Sequence, residues 1–468
     1  MTRWIPVSII IAALPLGCGE LNPEYCRTHN DVDCPQVDAG IDIDAPPTAC
    51  DSPDDCRAPT PVCELAEQIC VQCIASTDCT GNKPVCDTAP NVCRACTAHA
   101  ECASALCLPD GSCADTVDVT YVVGGAPAST TCTQALPCPN FPAAFVPAPR
   151  KYFKVSGAVL DSAVAMFDNR NATVYAEPGS SISRTSAGDV IEIKGTSNVA
   201  IHGLAIRNST NGTNDDGLYV HEAATVVLTK VKVHGNSGSG ISFAGTALGN
   251  LTVVDSLIHQ NMGSGISATG AGTLTVTDSI VYNNATSGIS ATTTGLVTIG
   301  TSVIAYNGVG GGLVISADYA VTNSIISANG TTASLVGGVQ LATGNPAAVF
   351  QFNTVANNVS GAGVGGGVRG INCTGATVGL TNSILTGEIA GACTVTYSLT
   401  TATTPGVGNK TGPPMFLDFG GDPLFATFYR ISSLSPAKDS ANPAATITVD
   451  IDGDPRLGVA DMGADEAP

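Results

Sequence analysis

Basic side chains are scarce in this 468-residue chain, where 19 Lys and Arg stand against 39 Asp and Glu for a formal net charge of −20. Nucleic acid binding needs a basic stripe that displaces counterions from phosphates, and no such cluster occurs, so nucleic acid is excluded as a partner. Charge of either sign is sparse, at 12% of residues, which excludes long helices laced with Glu–Lys pairs. No window after the N-terminal apolar run is apolar enough for the roughly 20-residue span of a membrane helix. Two catalytic signatures are missing as well. There is no Gly-x-Ser-x-Gly elbow and no Walker loop, since Gly406-Val-Gly-Asn-Lys410-Thr411 lacks the glycine before its lysine. What remains is a chain dominated by Gly, Ala, Ser, Thr, Val and Asn, a composition that favours strands and tight turns.

The first 18 residues read as an export signal: Arg3, then the apolar run from Ile5 to Leu16, then Gly17-Cys18. Leu14-Pro15-Leu16-Gly17-Cys18 resembles a bacterial lipoprotein signal, with Pro15 departing from the usual small or aliphatic residue there. The resemblance implies that Cys18 becomes the lipidated first residue, and Gly19 in place of Asp points to the outer membrane or cell surface. Setting Cys18 aside leaves an even number of the 19 cysteines, as expected in an oxidising compartment. Residues 19–49 are polar, acidic and Pro-containing and read as a tether, within which Cys26 and Cys34 could close a small loop.

Residues 50–115 form a cysteine repeat of three units: Cys50, Cys56, Cys63, Cys70; Cys73, Cys79, Cys86, Cys93; Cys96, Cys102, Cys107, Cys113. The first two units repeat every 23 residues, and Asp55-Cys56, Asp78-Cys79 and Glu101-Cys102 recur with them. So small a unit buries too little apolar area to fold unaided, which predicts two disulfides per unit. Zinc is the alternative, because Cys70-x-x-Cys73 and Cys93-x-x-Cys96 have ligand spacing. The array resembles the cysteine-rich repeats near the N-termini of myxobacterial surface lipoproteins, which implies a stalk and no activity. Residues 116–150, with Cys132 and Cys138, are expected to cap the domain that follows.

From about residue 151 to 428 a second repeat emerges, with starts at Gly217, Gly240, Gly265, Gly288, Gly312, Gly338 and Gly367, spaced 23 to 29 residues apart. Short runs of period-2 alternation bounded by Gly and Asn are strands, and strands recurring at this period without helices are a solenoid. The pattern resembles right-handed parallel β-helix proteins of the pectate-lyase-like architecture, giving an all-β fold of roughly ten coils, about 50 Å long at the inter-strand spacing. Stacking the units predicts ladders: Asn236, Asn261, Asn284, Asn307, Asn329, Asn358; Ser256, Ser279, Ser302, Ser324, Thr354, Ser383; Lys230, Asp255, Asp278, Thr301, Asn323, Asn353, Asn382; and His234, His259, Tyr282.

Asp255 and Asp278, with His259 nearby, are the candidate catalytic residues, as paired carboxylates of a hydrolase or ligands of a shared Ca²⁺. The same ladder accepts Thr, Asn and Lys, however, which suits a turn position open to polar residues, with Lys230 balancing Asp255. Asn214-Asp215-Asp216-Gly217 is similar to the Asn-Thr-Asp-Gly motif of polygalacturonases, but the next coils lack the further acids and histidine of those enzymes. A lyase mechanism wants a Lys or Arg base, and between 217 and 387 only Lys230, Lys232 and Arg369 occur.

Cys373 and Cys393 are expected to bridge the last coils. Residues 429–468, including Tyr429-Arg-Ile, Asp450-Ile-Asp452-Gly453-Asp454-Pro-Arg456 and Asp461-Met-Gly463, resemble the C-terminal motif of the choice-of-anchor Q β-helix family. Asp450, Asp452 and Asp454 alternate like a cation loop and are the candidate Ca²⁺ ligands, although position 12 is Asp461 and not Glu; an ionic network with Arg456 is the alternative. No other cofactor is implied. Two functions follow: a lipid-anchored, non-catalytic surface module that binds a surface polysaccharide, or a lyase or hydrolase acting on an acidic polysaccharide.

Overall fold

Val, Ile and Leu alternate with polar residues over stretches too short for helices, and in the computed structural model of the protein nearly every such stretch is a strand. The structure describes residues 50–146, 149–209, 215–292, 295–343, 345, 348–361 and 367–467. The export signal, Cys18, the tether with Cys26 and Cys34, and Asn214 lie outside them. Two units form: residues up to Cys96 with Asp110–Ser112, and Thr97–Pro109 with Cys113 onward.

In the first unit the first cysteine of each repeat bonds the third and the second bonds the fourth: Cys50–Cys63 and Cys56–Cys70, then Cys73–Cys86 and Cys79–Cys93. The sulfurs that a zinc site would use at Cys70 and Cys73 are therefore spent in bridges. Each pair of bridges clamps a hairpin, Val62–Glu64 with Ile69–Val71 and Val85–Asp87 with Val92–Arg94. The recurrent acid before the second cysteine anchors the preceding turn. Asp55 Oδ2 accepts from the N–H groups of Asp51 and Ser52, and Asp78 Oδ2 from those of Ile74 and Ala75. These bonds hold both carboxyls below the usual Asp range.

In the second unit Cys102–Cys113 closes part of the third repeat and Cys107 is disulfide-bonded as well, as is Cys96 of the first unit. Leu106 and Ala114 of that repeat pack on Val119, Tyr121 and Tyr152. The rest of the unit is a parallel β-solenoid. A typical coil has a first strand Leu218–Glu222, a second Thr225–Thr229 and a third Lys232–His234, each pairing in register with its counterpart one coil on. Eight complete three-strand coils run from Ala165–Asp168 to Thr354–Ala356. In two further coils the first and second strands fuse into Ile371–Thr381 and Ile389–Thr396, cross-linked by Cys373–Cys393.

Three interior columns fill the solenoid, for example Leu218, Ile241, Ile266, Ile289 and Leu313 on the first strands and Val233, Ile258, Val281, Ile304 and Ile326 on the third, all fully buried. Each such side chain contributes about 1.5–3 kcal/mol by leaving water. Two sharp turns per coil are made by residues with left-handed φ near +50°. Lys230, Asp255, Asp278, Thr301 and Asn323 precede the third strand, and Gln260, Asn283, Tyr306, Ala328 and Asn357 follow it. The residue after each such turn points inward and stitches neighbouring coils. Asn261 donates from Nδ2 and from its backbone N–H to Asn284 Oδ1, at 2.9 and 3.2 Å, and the Asn ladder continues in this way from Asn236 to Asn358. In the other ladder, Ser279 Oγ accepts from Ser256 N–H and donates to Thr277 O.

Two registers read from the sequence are corrected. Asn353, not Thr354, continues the Ser ladder, accepting from Ser324 N–H at 3.0 Å, and Phe352 takes the left-handed turn position at φ 55°. The seventh glycine of the row is Gly370 rather than Gly367, since Val339 pairs with Ile371. The row is glycine because a Cβ at Gly240 would lie 2.6 Å from Asn261 Nδ2 and 2.8 Å from Gly265 O on the next coil.

At the N-terminal end Phe141, Phe145, Phe153 and Phe167 stack into an aromatic plug, with Cys132–Cys138 bonded beside it. Residues 413–467 follow the last coil as turns, bends and isolated bridges. They lie along the outer face of the third strands, with Phe428, Tyr429 and Ala464 on Val303, Ala305, Ile325 and Ala356, and Ile431 and Met462 on Phe352, Ile384 and Leu399.

Candidate functional site

Asp255 and Asp278 occupy equivalent left-handed turns on successive coils. Lys230 Nζ lies 3.7 Å from Asp255 Oδ2, with both side chains more than half exposed, and Thr301 Oγ1 donates to Asp278 Oδ1 at 2.5 Å. His259 sits on the neighbouring third strand, its ring stacked between those of His234 and Tyr282 at 4.9 and 5.0 Å between centroids. Burial, and then the positive charge of His234, push His259 down to about 4, so it is neutral at physiological pH. The groups that act on its ring are His234, Gln260 and Lys232 rather than the two aspartates.

The C-terminal acids gather around a different arginine from the one read in the sequence. Asp452 accepts from Arg430 Nε and Nη2 at 2.7 Å each, and Asp465 Oδ1 lies 3.6 Å from the same guanidinium. Asp450 is fully buried and accepts from the N–H groups of Asp452, Asp454 and Glu466. Arg456 pairs instead with Glu466 at 3.1 Å and with Asn323 Oδ1. Asp450, Asp452 and Asp465 bring one oxygen each within 4.8 Å of one another, with Asp465 rather than Asp454 as the third member. Arg430 already supplies the positive charge a cation would bring, so this cluster reads as a structural ion network.

A cluster that the sequence reading missed lies where the first strands begin. Asp189 Oδ1 accepts from Asp216 N–H at 2.8 Å, Asp216 Oδ1 from Ser239 N–H at 2.6 Å, and Asp215 Oδ2 from Gly188 N–H at 2.7 Å. Carboxylates thus stack from coil to coil just before the first strands. On those strands Glu192 Oε1 lies 3.0 Å from His221 Nε2, in position to accept its N–H, and 3.5 Å from Lys194 Nζ. The Tyr219 and His221 rings stack at 4.5 Å. Burial, opposed by the Ser239 bond and reinforced by the charge of Asp189, pushes Asp216 up to about 6, and burial raises Asp189 as well. Half-buried acids with raised affinity for a proton, beside an aromatic pair, have the chemistry of a proton donor or of an acceptor for sugar hydroxyls. Of this group the sequence had offered only Asp215 and Asp216. Their partners Asp189 and Glu192 belong to a coil before the first aligned repeat, so no register was available from which to place them.

A family model described as right-handed beta helix region matches residues 189–355. Comparison with curated proteins gives no significant match. Among solved structures, the crystal structure of pectate lyase Pel9A is similar, at 13% identity and a TM-score of 0.51, over 75% of this chain and 96% of that one. At that identity the likeness is one of fold, and the two findings agree on it: the repeats of this chain build a right-handed parallel β-helix.

Proposed function

We propose that the protein is a lipid-anchored surface protein whose β-helix binds glycan without cleaving it. The observation that supports this is the unequal covering of the third-strand sheet. From Val303 onward its strands are buried on both faces under residues 413–467, whereas Lys232–His234, Leu257–His259 and Ile280–Tyr282 keep alternate side chains accessible. Those side chains form rows of imidazole, phenol and ammonium groups along the solenoid, which suit a chain of sugar rings. The anchor rests on Arg3, the apolar run and Gly17-Cys18.

A second reading, cleavage of an acidic polysaccharide, is favoured by the stacked Asp189 and Asp216 and their raised proton affinity. A polysaccharide panel scored for retention and for released ends separates the two. Binding without products, unchanged in Asp189→Asn/Asp216→Asn, is the expected result. Products that disappear in that double variant establish the enzyme instead.

A further inference from the structure

Arg207, Lys232 and His234 converge on the open part of the third-strand face of this acidic protein. Arg207 pairs in register with His234, which pairs with His259 and then Tyr282, while Lys232 lies two residues before His234 on the same strand. Other lysines of the solenoid meet carboxylates, as Lys154 does at Glu177, Lys194 at Glu192 and Lys230 at Asp255. Here none does: among the described residues Arg207 and Lys232 have no ion pair, and Arg207 binds only Ser181 Oγ, through Nη2 at 3.3 Å, leaving its buried Nε unpartnered. The charges of Arg207 and Lys232, after burial, hold His234 below the usual imidazole range, as expected where like charges converge without a counter-ion. The other end of the open strands lacks such free cations: a recess of about 290 Å³ between Ile280 and the segment Pro423, Leu424 and Phe425 carries Asp278, and Asp452 already paired with Arg430.

We propose that this face binds a polyanionic glycan, with its carboxylate or sulfate groups on Arg207 and Lys232 and its sugar rings along His234, His259 and Tyr282. This rests on the glycan-binding reading and adds the charge class of the ligand. Cations without partners provide the attraction, and coil-to-coil repetition at about 4.8 Å supplies a linear track for a polymer rather than a pocket for one small anion. The cations without partners lie at one end of the track, so the polymer is held most tightly at the Arg207 end.

The test uses the full mature chain on three matrices with one backbone: dextran, carboxymethyl-dextran and dextran sulfate. Retention is expected on both charged forms and not on dextran, weakening steeply with salt. Arg207→Gln/Lys232→Gln should lose it by about tenfold or more with an unchanged thermal melt, and Lys83→Gln, an exposed lysine in the first unit, should not. Equal retention on uncharged dextran overturns the charge assignment and leaves glycan binding standing. An equal loss in Lys83→Gln reduces the effect to net charge and overturns the site. Retention on phosphatidylglycerol vesicles with none on the polymers transfers the site to lipid headgroups and overturns the glycan. Failure to bind these matrices or any member of the polysaccharide panel overturns both readings.

Discussion

An asparagine inside a β-helix is held in two directions, since its carbonyl accepts from the coil before and its amide donates to the coils on both sides. Asn307 Oδ1 accepts from Asn284 Nδ2 and N–H, and its own Nδ2 donates to Asn329 Oδ1 and Val281 O. Asn307→Ala strands these fully buried groups and should cost about 2–4 kcal/mol, read as a lowered denaturation midpoint. By contrast Asp255→Asn/Asp278→Asn alters exposed turn residues at a position that Asn323 and Asn382 already fill at the same φ, so stability should stay within about 1 kcal/mol with glycan retention unchanged. A double variant that folds and abolishes cleavage of an acidic polysaccharide would make this ladder an active site after all. Asp161 makes a pH-dependent case. It is fully buried, accepts from Phe141 N–H through Oδ1, and has no partner at Oδ2; burial pushes its carboxyl up to about 7. The unfolded carboxyl ionises near 3.8, so the folded state holds the extra proton between those values and loses stability as pH rises through them. Asp161→Asn removes that slope, so its melting temperature relative to the parent should climb from pH 4 to 7 and level off above, a swing of about 2–4 kcal/mol. A flat difference would show that Asp161 ionises normally.

At the level of strands and turns, most of the architecture could be read before any coordinates, because stacking repeats the same residue at the same place. The Asn ladder and the stacked His234, His259 and Tyr282 were legible for that reason. Legibility failed where the period broke. The insertion between Gly338 and Gly370 hid the register of Phe352 and Asn353, since an aromatic in a left-handed turn does not look like a turn residue. The lateral course of residues 413–467 was also out of reach, because its partners lie far away in the sequence. Arg456 makes that segment testable. Its side chain is 1% exposed, pairs with Glu466, donates to Asn323 Oδ1, Gly463 O and Ala464 O, and lies over the Phe352 ring at 4.4 Å. Lysine keeps the charge but not the planar fork, so Arg456→Lys should destabilise the segment by about 2–4 kcal/mol. Hydrogen exchange should then accelerate at Val303–Ala305 and Ile325–Ser327 while the strands around Val226 stay protected. Uniform acceleration throughout would mean that the segment and the coils melt as one.

For the whole molecule, export is the proposal on which the cysteine repeats bear. The twelve cysteines of residues 50–113 are all disulfide-bonded, as an oxidising compartment permits. No helix among the described residues is long and apolar enough to cross a membrane. If the chain is held by acylation of Cys18, Cys18→Ala should appear in the soluble fraction with its signal unprocessed or differently cut; normal processing with retained membrane association would exclude the anchor. The side-on placement of residues 413–467 bears on how such a protein changes its reach. That segment grips coils from Ile280 onward and the aromatic plug ends at Phe167, so the coils from Leu218 to His259 lie between the two fixtures. Each is a module with the same three columns and two stitches, so one can be duplicated or lost without disturbing either fixture. The open track would then lengthen or shorten by one strand spacing per event, making the chain a ruler whose number of graduations, rather than the shape of any pocket, is the quantity that selection can adjust.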